Sequence, residues 1–313
     1  MRFRPSRVVT PTIPTMRAEP DTAFQIPSGS RFGVIAGGGN LPVEVVRSLA
    51  ARGHAPFVIM VAGEVDRAAD FDAYERTILR VEDLSLLVST LKRHGVTHLV
   101  LAGNVTRRPR LTSFRPGLDL VRALPSIAAG LARGDDGLLK VLIRIIESRG
   151  VKVVGPHQVI PELVAVAGAI SKTEPLKKDW LDIEAARTAA LAIGALDIGQ
   201  AAVAIGGRAI ALEGVEGTNG LLERVRDLRG HGRIANKKRG VLVKCSKPGQ
   251  ELRVDLPSIG PQTVELAHAA GLVGIAVEAG RSLVLEGPQV IARADALGLF
   301  VLGLPAREHR HGE

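Results

Sequence analysis

The chain has 313 residues, 46% of them hydrophobic and 23% charged, and carries a formal net charge of +9. This is a globular composition with material for a sizeable core, and an aromatic share of only 3% argues against stacking platforms for single-stranded nucleic acid, so no nucleic-acid partner is expected. The single cysteine, Cys245, excludes an intramolecular disulfide and a cysteine-based zinc site and fits a cytoplasmic setting, and no apolar run approaches the roughly 18 residues of a membrane span.

Residues 1–31 hold five arginines against Glu19 and Asp21, with many prolines and no apolar period. They read as a disordered extension without a secretory leader, or as a segment ahead of a true start at Met16. The rest of the chain carries +6, a charge suited to anionic ligands or an anionic membrane face, although basic composition also serves solubility alone.

Order is expected from Phe32. Phe32–Ala36 is a short apolar run, read as a buried strand. It is followed by Gly37-Gly38-Gly39-Asn40, then by a helix to Arg52 with Asn40 as N-cap and Pro42 near its first position. Pro56–Val61 and His98–Ala102 read as further strands, with helices at Leu84–His94, Leu118–Leu131 and Gly137–Arg149, and a strand at Lys152–Val154. Strands alternating with helices predict a parallel sheet, so residues 32–160 are assigned to an N-terminal Rossmann-like domain of the α/β class. Residues 161–180 are read as a linker.

Residues 181–305 read as a C-terminal mixed α+β domain, followed by a polar tail over 306–313. A helix at Leu181–Ile193 precedes strands Gln200–Ile205 and Arg208–Glu213, joined by the hairpin signal Gly206-Gly207. Strands Gly240–Cys245, Val273–Glu278, Ser282–Leu285 and Phe300–Leu304 alternate with helices at Thr263–Ala270 and Pro288–Leu297.

The triple-glycine turn lies where a strand ends and a helix begins. Open backbone N–H groups there would suit a phosphate, and Glu64 stands near where a ribose-binding acid would fall; a tight turn would account for the same glycines. The spacing departs from G-x-G-x-x-G, because Pro42 occupies the third glycine position. Gly103 and Asn104 close another strand of the same sheet, at the end where ligands bind. Glu216, Gly217 and Thr218 open a helix; Thr218 reads as an N-cap or as part of a second anion site.

The densest segment is GVLVKCSKPGQELRVDLPSIGPQTVE, from Gly240 to Glu265. Lys244 and Lys247 bracket a strand end and would neutralise a diphosphate. On an extended strand Glu251, Arg253 and Asp255 would share a face, with Gln250 beside them, unless the alternation marks only a solvated edge. Breaking a phosphoanhydride needs cations on the phosphate oxygens and a group that positions water, and an aspartate among basic residues serves either need. The eight histidines show no metal-ligand spacing.

GVIAGGGNLP, LAGNV and LARGDDGLL, then ALDIGQAAVA, VEGTN, the long segment above and GIAVEAGRSLVLE, occur in an order that resembles one family from about Phe32 to Leu304. It is the UDP-2,3-diacylglucosamine pyrophosphatase of lipid A synthesis that replaces the calcineurin-like enzyme in many Gram-negative bacteria. The resemblance implies magnesium-dependent hydrolysis of a lipid-linked UDP-sugar to UMP and 2,3-diacylglucosamine 1-phosphate, with the substrate held between two domains. It implies that Asp255, in R-x-D-L-P, is the functional aspartate, as metal ligand or water-orienting base. Asn219 and Glu251 stand where the family usually has aspartate, and no metal role is assigned to them. Gly37, Gly38, Gly39, Asn40, Gly103, Asn104, Glu216, Gly217, Thr218, Lys244, Lys247, Gln250 and Arg253 are the expected binding residues, with Mg2+ at Asp255. A peripheral position on the inner membrane is expected, and a homodimer is left open. The competing readings are an NAD(P)-dependent oxidoreductase and a non-catalytic nucleotide- or lipid-binding regulator of envelope synthesis.

Overall fold

The structure, a computed structural model, describes residues 26–27, 29–105, 135–230, 234 and 239–305. The helix expected at 118–131, the polar tail at 306–313 and residues 1–25 of the expected extension lie outside the described residues.

The first sheet follows from the short apolar runs. β1 (Phe32–Ala36), β2 (Phe57–Val61), β3 (Arg76–Leu79), β4 (His98–Ala102) and β5 (Lys152–Val154) pair in parallel in the order β3-β2-β1-β4-β5. Because side chains alternate along a strand, Phe32, Val34 and Ala36 of β1 share one face. There they pack with Val45, Val46 and Leu49 of α1 (Leu41–Ala51). On the opposite face, Phe57, Ile59, Leu99 and Val153 meet α2 (Leu84–Arg93) and α3 (Asp135–Glu147) through Leu87, Leu91, Ile143 and Ile146. Each fully buried side chain of this size contributes about 1.5–3 kcal/mol. β3 was not foreseen: it is an edge strand whose residues are only half-buried or exposed, so its sequence shows no buried face.

The second sheet is mixed, in the order β6-β13-β11-β9-β7-β8. Its strands are β6 (Gly168–Ala169), β7 (Ala201–Ala204), β8 (Ala209–Leu212), β9 (Val241–Lys244), β11 (Gly274–Glu278) and β13 (Phe300–Leu304). β9, β11 and β13 run parallel; β7 and β8 form the antiparallel hairpin expected from Gly206-Gly207. One face is covered by α5 (Asp179–Ala195). The other is covered by α6 (Gly217–Gly230), α7 (Pro261–Ala269) and α8 (Gly287–Leu297).

Several elements differ from expectation. The stretch read as a linker contributes β6, which pairs antiparallel with β13. Just before it, α4 (Pro156–Val159) is a single helical turn. Residues 251–255 are not an extended strand: Leu252–Val254 is a turn, closed by bonds from the Val254 and Asp255 amides to the Glu251 carbonyl. Glu251, Arg253 and Asp255 therefore do not form one strand face. Beyond it, β10 (Ser258–Ile259) and β12 (Leu283–Val284) form a two-stranded parallel sheet.

The halves share a core. Leu283 is buried in the first sheet's cluster, with Leu256 and Leu285 packed against it. Arg253 pairs with Glu147 at 2.8 Å, and Lys140 donates to the Gly249 carbonyl at 2.7 Å. These contacts fix the carboxyl ends of both sets of parallel strands around one crevice.

On the first sheet the strand order reverses between β1 and β4, a switch point where open sheets bind ligands. The two turns there lock together: the Gly38 amide donates to the Asn104 carbonyl at 2.8 Å and the Asn104 amide to the Gly38 carbonyl at 3.0 Å. A Cβ on Gly37 would stand 2.4 Å from the Asn104 carbonyl oxygen, closer than any ordinary contact. Gly37→Ala should therefore lower stability by about 1–3 kcal/mol through overpacking, read as a fall of several degrees in a thermal melt.

Candidate active site

A cleft of about 740 Å³ opens where the two halves face each other. Gly39, Asn40 and Asn104 line it from the first half; Glu216, Gly217, Thr218 and Lys244 line it from the second. All seven are residues expected from the sequence. The same wall includes Asn219, Ser258–Thr263, Glu265, Leu285, Glu286, Gln289 and Arg293, which sequence reasoning did not assign to a site. The signal for part of this wall was present: Gly260-Pro261 ahead of a helix marks an N-cap followed by a first helical residue.

The ends of four helices explain the position of the cleft. Asn40 caps α1, Gly217 opens α6, Gly260 caps α7 and Glu286 caps α8, and all line the cavity. Helix N-termini carry partial positive charge and orphan N–H groups, so the cavity is suited to an anion.

The triple-glycine turn contributes differently from expectation. Its N–H groups are engaged within the protein: Gly37 donates to the Ala102 carbonyl at 2.9 Å, Gly38 to Asn104, and Gly39 to the Asp66 carboxylate at 2.9 Å. Gly37 and Gly38 thus shape the backbone rather than offering donors, and Gly103 has φ +85°, with a Cβ there placed 2.5 Å from the Gly38 carbonyl oxygen. Asn40 does not cap α1 through its side chain. Its amide donates to the Glu286 carboxylate, and its oxygen accepts from Arg67 at 3.2 Å. Glu64 is buried and does not line the cavity.

Lys244 is the buried cation of the cavity wall. It ends β9, and its Nζ donates to the Ser258 carbonyl at 2.9 Å. Burial pushes its ammonium below the usual lysine range, opposed by the charges of Glu213 and Asp255. Asp255 lies close enough for its charge to act on Lys244. Its Oδ2 accepts from the Gln250 amide, and the Gln250 Oε1 accepts the Lys247 N–H at 2.8 Å. Lys247, expected on the diphosphate, instead pairs with Asp197 at 2.7 Å; Arg253 is held by Glu251 at 2.9 Å and by Glu147. Asp255, Lys247, Gln250 and Arg253 do not line the cavity. Thr218 lies inside α6 rather than capping it, and its hydroxyl donates to Glu213 at 2.6 Å.

A cavity between two α/β units, ringed by helix N-termini and one buried lysine, is the build of a protein that handles phosphate-bearing ligands. Family models describe the same two units: the LpxI N-terminal domain matches residues 31–163 and the LpxI C-terminal domain residues 166–302. The chain is 40% identical over 282 residues, 89% of its length, to the UDP-2,3-diacylglucosamine pyrophosphatase LpxI of Caulobacter vibrioides, of which it covers 99%. The chain belongs to the LpxI family. Among solved structures, a Brucella ovis UDP-glucose 4-epimerase in complex with NAD matches 38% of this chain and 33% of its own, at 15% identity and a TM-score of 0.25. A Thermotoga maritima UDP-glucose 4-epimerase with UDP-glucose matches 47% and 42%, at 11% identity and a TM-score of 0.27. At those scores neither bears on fold or function.

The sign of the Lys244 displacement sets a pH dependence. With a folded value below the unfolded one, the ammonium loses its proton first in the folded state, so anion binding should weaken as pH rises through a point below the ordinary lysine value. Titration with inorganic pyrophosphate by calorimetry should show that alkaline decline. Lys244→Met should bind about 10–100-fold more weakly on the acid side of that decline and lose the decline itself.

Proposed function

We propose that this chain hydrolyses the diphosphate of UDP-2,3-diacylglucosamine, releasing UMP and 2,3-diacylglucosamine 1-phosphate for lipid A synthesis. The observation that carries the reading is the convergence of Asn40, Asn104, Thr218 and Lys244, from both halves, on one anion-suited cavity. It is supported by a pyrophosphatase relative matched across 99% of its length. An NAD(P)-dependent oxidoreductase is not favoured: the glycine turn lacks the third glycine and spends its N–H groups internally.

In this reading Lys244 and the helix N-termini hold the diphosphate, and Asp255, whose charge acts on Lys244, serves the chemistry. Mg2+ is part of the proposal. Among the described residues no group of three or more His, Cys, Asp or Glu side chains is placed to hold a metal. Mg2+ commonly takes one or two carboxylates and completes its shell with substrate phosphates and water, and the single Asp255 carboxylate fits that pattern. Bound there it would neutralise charge on the phosphate oxygens. Asp255, fixed by Gln250, would hold the ion or orient the attacking water.

The substrate's acyl chains place the protein at the inner-membrane surface in this proposal, as a peripheral rather than a spanning partner. No helix among the described residues is long and apolar enough to cross a membrane.

The test is UMP release from UDP-2,3-diacylglucosamine, with and without Mg2+. Magnesium-dependent release is expected, and its absence in the wild-type protein would remove the assignment. Asp255→Ala should cut turnover by about 10²–10⁴-fold while UMP still binds; near-normal turnover would remove Asp255 from the chemistry.

A further inference from the structure

Glu213 was not expected in the site. It is buried, and both of its carboxylate oxygens are committed. Oε2 accepts the Gln200 backbone N–H at 2.7 Å, and Oε1 accepts the Thr218 hydroxyl proton at 2.6 Å. The backbone around it is fixed as well. Its own amide donates to the Ala201 carbonyl at 2.8 Å, and a Cβ on Gly199 would stand 2.3 Å from its carbonyl oxygen. Ala201 lies opposite Lys244 in the sheet register, so this carboxylate sits beside the lysine that ends β9.

A threonine hydroxyl has one proton and two lone pairs, and a carboxylate can only accept. The Thr218 proton is therefore spent on Glu213, and what the hydroxyl offers the cavity is lone pairs. Lone pairs repel a phosphate oxygen and attract an O–H or N–H donor. The cavity wall thus carries two unlike poles: the Lys244 ammonium for the phosphates and the Thr218 oxygen for a donor group.

We infer that Glu213 is a positioning residue that locks Thr218 as a hydrogen-bond acceptor for a hydroxyl or amide donor of the bound nucleotide sugar. The identity of that ligand rests on the function proposed above; the polarity of Thr218 does not. The backbone N–H groups that open α6 keep their suitability for an anion, while the Thr218 side chain selects a neutral donor.

Glu213→Gln tests this directly. To keep the Gln200 N–H bonded, the new amide must place its oxygen there and turn its NH2 toward Thr218. The hydroxyl then spends a lone pair on that NH2 and has its proton released, so a near-isosteric change weakens it as an acceptor and makes it a competing donor. Turnover of UDP-2,3-diacylglucosamine and calorimetric binding of UMP should be measured for Glu213→Gln, Thr218→Val, Thr218→Ser and the double variant Glu213→Gln/Thr218→Val. Glu213→Gln and Thr218→Val are each expected to raise KM about tenfold or more, with a smaller change in kcat. The double variant should be no worse than the poorer single one, and Thr218→Ser should recover most of the loss. Weaker UMP binding would place the donor on the nucleotide. Unchanged UMP binding with a raised KM would place it on the acylated sugar; either outcome supports the inference.

Wild-type KM and UMP affinity in Thr218→Val would overturn it, as would full additivity in the double variant. Should Glu213→Gln fail to fold, the Thr218→Val and Thr218→Ser pair decides alone. A wild-type protein that binds UMP but releases none from the lipid substrate defeats the function proposed above and leaves this inference to the binding arm.

Discussion

Four helices beginning at one cleft is the constraint on which the rest of the molecule depends. A parallel strand followed by its helix returns the chain so that the helix starts where the strand ends. Here α1 follows β1 of the first sheet, α6 follows β8 of the second, and α7 and α8 follow β10 and β12 of the small parallel sheet, and all four begin at the cleft. Each carries a partial positive charge worth about 0.3–1 kcal/mol to a nearby anion, and Lys244 adds a full charge among them. Like poles gathered in one place repel. Carboxylates on the same wall, those of Glu216, Glu265 and Glu286, offset that repulsion when no ligand is bound. Glu216 and Glu265 are themselves paired, with Arg224 at 2.6 Å and Arg293 at 3.2 Å, which keeps their charge from cancelling the attraction for a diphosphate.

The facing arrangement needs the halves to hold their relative position. Leu256, Leu283 and Leu285 come from the C-terminal half yet pack in the first sheet's core, so the second half's chain completes the hydrophobic layer of the first. At the seam Glu286 has φ +52°, a left-handed conformation that costs a residue with a side chain of order 1 kcal/mol and persists only where its surroundings over-determine it. The surroundings do so. Its amide donates to Glu44 at 3.0 Å, and its carboxylate accepts from Asn40. Burial, with the Glu286 charge adding, pushes the Glu44 carboxyl above its ordinary value. Asn40 and Glu286 are thus occupied with each other across the seam, and Asn40 helps to hold the cavity together as well as to line it.

Much of this was legible in the amino-acid order. Buried parallel strands announce themselves as short apolar runs, and Phe32–Ala36, His98–Ala102 and Phe300–Leu304 fall where such runs were read. The glycine turn, Asn104, Thr218 and Lys244 were also visible, because strand and helix ends are where chemistry sits in α/β sheets. What failed has a common cause. β3 and β6 are edge strands held by backbone bonds to a neighbour, and no local apolar pattern records a partner that lies elsewhere in the chain. The alternation from Glu251 to Asp255 read as a strand, whereas Arg253 curls back to bond Glu251, two residues away, and reaches Glu147 of the other half. Charges spaced by two are compatible with both geometries. The N–H groups of Gly37 to Gly39 were read as open because their acceptors, the carbonyls of Ala102 and Asn104 and the carboxylate of Asp66, lie beyond any local window.

That same distinction explains why the residues of the basic segment divide into two groups. Lys244 reaches the cavity because it is the last residue of a strand whose carboxyl end forms the wall. Asp255 and Gln250 belong to the chain that returns from that strand toward β10; they bond to each other and stay out of the lining. A carboxylate in front of the lysine would compete with an incoming diphosphate for it. Asp255 opposes the burial that lowers the Lys244 ammonium without taking a place in the cavity lining. Glu213 acts on the lysine in the same way while spending its own oxygens on Thr218 and Gln200. The acids that matter most to the cavity therefore sit outside its lining, where they set which wall groups donate and which accept.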